Sequence, residues 1–215
     1  MDRPHGQSAQ RTCGTRQGTG RLSSLATPAL GRALGVWGIS VAAAALPIAP
    51  AAADPVAEPL YGLVDAATQR LQTADPVAAS KWLSGGPITD PARVQQVLAA
   101  VSADAESVRV PVDYVDAVFT DQINATEAIQ YSRFSWWKLD PAAAPAAAPD
   151  LSSSRALIDG LNHRMVGEIA GQWTVLHAPD CPVRLSAAKS AVAADRGLDP
   201  LYVQALDAAT RSYCS

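Results

Sequence analysis

Cysteine and histidine are scarce in this chain, with three of each, and the histidines stand alone at His5, His163 and His177. No paired Cys or His spacing occurs, so no metal site is expected. A Gly-rich phosphate loop, a nucleophile elbow and the HExxH pattern are also missing, which removes the motif-borne forms of phosphate binding, acyl transfer and metallopeptidase chemistry. Nothing implies a cofactor. His163 reads most simply as a surface or satisfied core residue. Strand-like alternation is rare too, while Ala, Leu, Val and Gln are abundant, so the expected fold is all-helical. No internal repeat is present, and Ala142–Ala148 is the one low-complexity run.

The N-terminal part lacks the pattern of a folded domain. Met1–Arg32 carries five Arg and one Asp, Ala33–Pro50 is almost wholly apolar, and Ala51–Ala53 are small. That order predicts a secretory signal peptide over residues 1–53, cut near Ala53. Pro47 and Pro50 and the small residues after them favour cleavage over a retained anchor, and the absence of an Arg-Arg pair favours the general export route. The expected mature domain is 54–215, long enough for one core, and secreted or periplasmic. Of the 17 basic and 20 acidic residues, five Arg and one Asp leave with the leader, so the remainder carries a formal charge near −7. Nucleic acid is not expected as a partner at that charge, nor a membrane once the leader is gone. Cys181 and Cys214 remain, an even pair in an exported chain and a candidate disulfide.

Six to seven helices are expected. The first spans about Pro55–Thr73, with Leu60, Leu63, Val64, Ala67 and Leu71 on one face and Arg70 at its border. Asp75-Pro76 reads as an N-cap and first-turn proline opening a short helix that ends at Gly85-Gly86-Pro87 and carries Lys81. Asp90-Pro91 repeats that signal for a helix to about Val108, in which Arg93 lies beside Val94, Leu98 and Val101. A long helix follows from Pro111 to Leu139. Pro141–Pro149 reads as an extended connection. Ser152–Ser154 are expected to cap a helix to about His177, with Arg155 on the stripe of Ile158, Met165, Ile169 and Leu176. Two shorter helices, Val183–Arg196 and Pro200–Tyr213, close the chain, with Gly197 ending the first.

The long helix holds the strongest anomaly. Val112, Val115, Phe119, Ile123, Phe134 and Trp137 recur at helical spacing, but Thr126, Glu127 and Gln130 interrupt their stripe. Burying such groups unpaired costs roughly 1–3 kcal/mol each, so polar partners are expected opposite them, either on a neighbouring helix or in a ligand pocket. Four cations, Arg70, Lys81, Arg93 and Arg155, sit on apolar or border positions of four other helices. Glu127 can neutralise only one, and the planar Arg fork suits carboxylates. A small dicarboxylate ligand accounts for the surplus. Asn124-Ala125-Thr126 matches a glycosylation sequon but falls inside a helix, and is taken as chance.

The segments RLQTADPVAASKW, DPARVQQ, DQINATEAIQYSRFSWWKL and DLSSSRALIDGLNHRM resemble the exported, gamma-subclass members of the all-helical AroQ-type chorismate mutases. The spacings of eleven residues from Arg70 to Lys81 and twelve from Lys81 to Arg93 match as well. The resemblance implies a cofactor-free rearrangement of chorismate to prephenate on the route to aromatic amino acids, in a homodimer. It implies that Arg70 and Arg155 hold the carboxylates, that Lys81 donates to the ether oxygen, and that Arg93 attends the ring carboxylate and hydroxyl end. Thr126 and Glu127 correspond to pocket residues. Gln130 stands where resembling exported enzymes carry Glu, and Val97 where some carry Gln. Two other readings fit the same pocket: loss of pyruvate from isochorismate, and a non-catalytic exported binding protein or effector.

Overall fold

The computed structural model describes residues 58–214; the expected signal peptide and its cleavage point lie outside the described residues. Among them all regular structure is helical: α1 Tyr61–Gln72, α2 Ala74–Ser84, α3 Pro91–Ser107, α4 Val112–Leu139, α5 Leu151–Gly171, α6 Trp173–Leu176, α7 Cys181–Asp195 and α8 Pro200–Ala209, with a 3-10 turn at Pro141–Ala143. None of these helices is long and apolar enough to cross a membrane.

Helix α1 is the hub, packed against α4, α5, α7 and α8. The face expected from its periodicity is buried, with Leu63, Val64, Ala67 and Leu71 all fully inaccessible. They meet Val115, Val118, Phe119 and Ile129 of α4, Met165 and Ile169 of α5, and Leu206 of α8 in one core. Gln122 of α4 is buried there too and donates from Nε2 to the carbonyl of Ala67 at 2.8 Å, tying α4 to the α1 backbone. A second, smaller cluster joins α2 to the far end of α4, where Trp82 meets Phe134 and Trp137 edge-on at 5.1 and 5.5 Å. Ala144 and Ala148 of the connection pack on it.

Several boundaries differ from the sequence expectation, each for a local reason. The described part of the first helix begins at Tyr61 rather than Pro55. Asp75 does not cap α2, which starts one residue earlier; its carboxylate instead receives Arg133 of α4 at 2.7 and 3.2 Å. Pro76 is tolerated because first-turn N–H groups have no helical acceptor. Asp90 does cap α3, accepting from the Arg93 amide at 3.1 Å. Asp150 precedes α5, and Ser152–Ser154 lie inside its first turn. That helix also stops short of His177, breaking at Gln172 before the single turn of α6. Gly85 and Gly197 take left-handed φ of 69° and 57° just past α2 and α7, where a side chain would be strained. Arg109 adopts φ 60° in the reversal between α3 and α4.

The C-terminal segment is fastened by a disulfide between Cys181, at the start of α7, and Cys214, beyond α8, with Cα atoms 5.7 Å apart and a sequence separation of 33. Closing a loop of that length stabilises a fold by about 3–4 kcal/mol in the chain-entropy description. The Cys181→Ala, Cys214→Ala double variant is therefore expected to lose about that much in urea unfolding while keeping its far-ultraviolet helix signal at 25 °C.

Candidate functional site

All seven polar and charged residues singled out in the sequence line one cavity: Arg70 from α1, Lys81 from α2, Arg93 from α3, Thr126, Glu127 and Gln130 from α4, and Arg155 from α5. Val77, Ile88, Val94, Val97, Ile123, Leu151 and Ile158 supply its apolar wall, and about 610 Å³ of empty space lies within it, counted out to its open mouth. The stripe on α4 explains the convergence. One turn of that helix exchanges aliphatic for polar side chains where the neighbouring helices leave a gap, so the polar groups face space rather than core.

The four cations are not equivalent. Arg70 is only 4 % exposed, and no carboxylate among the described residues lies within ion-pairing distance of it. Its Nε donates to Asn162 Oδ1 at 2.7 Å and one terminal nitrogen to Thr126 Oγ1 at 3.2 Å; the guanidinium carbon stands 5.9 Å from the centre of the Phe119 ring. Burial, reinforced by the nearby charge of Arg93, pushes Arg70 down to about 10, so it keeps its charge at neutral pH. Two neutral oxygens hold it without discharging it.

Lys81 also lacks a carboxylate partner among the described residues; its ammonium donates to the carbonyl of Ile88. Burial lowers its pKa, Glu127 and Asp90 oppose that shift, and Arg155 adds to it. Arg155, expected on the apolar stripe of α5, is half-exposed and corrects that expectation, whereas Arg93 is largely buried at its border position. Arg93 pairs with Asp159 and Gln96 at the rim. Arg155 is 45 % exposed and reaches Asp90 Oδ2 at 3.4 Å.

The neutral donors are under-used. Gln130 is 4 % exposed, its Oε1 has no hydrogen-bond partner, and its Nε2 makes one long contact of 3.4 Å to the carbonyl of Thr126. An amide nitrogen carries two hydrogens, so at least one is uncommitted to protein. Val97 is buried at the cavity wall and offers nothing polar. Asp90, also on the cavity wall, accepts from the Arg93 amide on Oδ1 and from Arg155 on Oδ2. Glu127 Oε2 accepts from Thr89 Oγ1 at 3.1 Å, and Glu127 pairs with no cation among the described residues. Away from the cavity, His163 is exposed and meets Asp104 at 3.2 Å, and Asn124 of the sequon is a helical residue whose companion Thr126 is buried.

Sequence reasoning missed Asn162. Its position seven residues after Arg155 places both on one face of α5, and that spacing was the available signal. Asn162→Leu is expected to leave the Arg70 Nε–H unsatisfied and to destabilise the protein by about 1–3 kcal/mol, measured by urea unfolding. Asn162→Asp would instead neutralise Arg70 and weaken anion binding without that loss.

Residues 62–131 match the family described as Chorismate mutase type II. The chain is 60% identical over 158 residues to a secreted chorismate mutase of Mycolicibacterium smegmatis, covering 74% of this chain and 87% of that protein. It is 55% identical over 155 residues to a secreted chorismate mutase of Mycobacterium tuberculosis, 72% of this chain and 78% of the relative. Among solved structures, the chorismate mutase of Burkholderia thailandensis superposes with a TM-score of 0.69 at 33% identity, over 73% of this chain and 99% of that one. With its helical fold and its cluster of inward-facing cations, the chain belongs to the type II, all-helical chorismate mutases.

Proposed function

We propose that this protein is an exported chorismate mutase, converting chorismate to prephenate by an intramolecular rearrangement in which the ether C–O bond breaks as a new C–C bond forms. The observation that carries this reading is the pair of cations, Arg70 and Lys81, held in one cavity without carboxylate partners beside an under-used amide at Gln130. A dicarboxylate is the ligand that such a cavity is short of.

The reaction needs no proton transfer, no nucleophile and no metal, in keeping with a pocket whose polar groups are donors and fixed charges. Two physical effects remain. The first is orientation. Arg70, on neutral supports, grips one carboxylate, and Arg155 gives up Asp90 to grip the other; Arg93 attends the ring carboxylate and hydroxyl end. Folding the flexible side chain over the ring in this way meets the entropy cost before the chemical step. The second is electrostatic: Lys81 and the Gln130 amide donate to the ether oxygen as negative charge builds on it. Thr126 keeps the Arg70 fork in place, and Glu127 biases Lys81 towards its charged form.

The neutral amide at position 130 sets the pH behaviour. An amide donates in any ordinary pH range, so activity is expected to vary little from mildly acidic to neutral pH. It falls on the alkaline side as Lys81 loses its proton, at a pH below that of an unburied lysine because burial lowers its pKa. Gln130→Glu should work only when protonated, so its kcat/KM should drop steeply from acidic to neutral pH. Lys81→Ala removes a donor made for the transition state and should cost about 10²–10³-fold in kcat. Steady-state kinetics across pH, with the product identified as prephenate rather than pyruvate, checks all three. A wild-type enzyme that loses activity steeply on approaching neutrality would contradict the assignment of Gln130.

A further inference from the structure

Two hydroxyl groups at the cavity mouth take no part in the reaction as read above, yet they hold one of its residues. Thr89, in the loop between α2 and α3, donates from Oγ1 to Glu127 Oε2 at 3.1 Å. The same oxygen lies 3.0 Å from the Tyr131 hydroxyl. A hydroxyl has a single hydrogen to donate, and an ionised carboxylate only accepts. With the Thr89 hydrogen committed to Glu127, the Tyr131 hydroxyl donates to Thr89, and the chain runs one way from Tyr131 through Thr89 to Glu127. Tyr131 follows Glu127 by four residues and so shares its face of α4; Thr89 bridges the two from the loop.

The consequence lies with Lys81. Glu127 and Lys81 line the same cavity and carry opposite charges, and Glu127 is the largest influence opposing the burial of that lysine. They nevertheless form no ion pair within about 4 Å, and the ammonium rests on a neutral carbonyl instead. We propose that Thr89 and Tyr131 are positioning residues that restrain Glu127 at the rim, so that it does not close onto Lys81 and the ammonium stays open to substrate. Without the restraint, the carboxylate is an internal competitor for the donor that the substrate needs. The position of Thr89 gives the loop this role, because its neighbours Ile88 and Asp90 hold Lys81 and Arg155 in the same way.

This inference rests on reading Lys81 as the donor to the ether oxygen, but its test does not depend on turnover alone. Thr89→Val is expected to raise KM for chorismate about 3- to 10-fold, the range of one lost hydrogen bond, with kcat within about twofold, because saturating substrate displaces the competitor. Thr89→Ser should restore KM, and Tyr131→Phe should give a smaller rise. In a Glu127→Gln background Thr89→Val should add nothing. Lys81 is accompanied by only two other lysines after residue 53, Lys138 and Lys189, so lysine-selective isotope labelling and NMR can follow its titration in substrate-free protein. There it faces Glu127, Asp90 and Arg155, and Thr89→Val should move its titration upward as Glu127 closes in. An unmoved Lys81 titration in a folded Thr89→Val protein overturns the proposal, as does a KM defect undiminished by Glu127→Gln. If wild type leaves chorismate unchanged, the reading of the reaction fails, and the titration still decides whether the restraint exists.

Discussion

A guanidinium buried without a counter-charge is the constraint on which this structure depends. Removing a cation from water is costly unless hydrogen bonds and a partner compensate, and Arg70 receives two neutral oxygens and an aromatic face but no carboxylate. Those supports come from different helices, Thr126 and Phe119 from α4 and Asn162 from α5. Holding Arg70 therefore requires α1, α4 and α5 to meet at one level. The apolar core beneath, built from Leu63, Phe119, Met165 and their neighbours, stabilises the fold enough to carry an unneutralised charge. An anion in the cavity would supply what the folded protein leaves out.

The rim follows a different logic from the floor. Arg155 sits where water reaches it and pairs with Asp90, an ion pair that contributes little to stability in such a setting, while the more buried Arg93 pairs with the exposed Asp159. Cheaply broken pairs suit the proposed exchange of one carboxylate for another. The loop from Gly85 to Asp90 makes contacts on three consecutive residues, Ile88 to Lys81, Thr89 to Glu127 and Asp90 to Arg155. Floor and rim together give a site whose deepest charge is fixed and whose outer charges can be released.

Much of this was legible in the sequence because helical periodicity is a strong signal. The interrupted stripe on α4 marked the pocket, and the cations that line it were singled out with it. The disulfide followed from an even pair of cysteines in an exported chain. What failed was read from local chemistry that tertiary contacts override. Asp75 has the form of an N-cap, but Arg133 approaches it from α4, and that pairing decides its role. Ser152–Ser154 offered three caps where the helix had already begun. Arg155 looked like a buried anomaly because periodicity assigns a face but cannot tell how far along that face the core extends. Asn162 was passed over because its one signal, the seven-residue spacing from Arg155, says nothing of the Arg70 it meets on another helix.

We propose that these unpaired cations serve a rearranging dicarboxylate. It is tested most directly by following loss of chorismate absorbance with the purified, oxidised protein and identifying the product. Stoichiometric conversion to prephenate at a rate proportional to enzyme is the expected outcome. Chorismate bound in the cavity yet recovered unchanged would keep the fold and the charge argument but contradict the claim of catalysis.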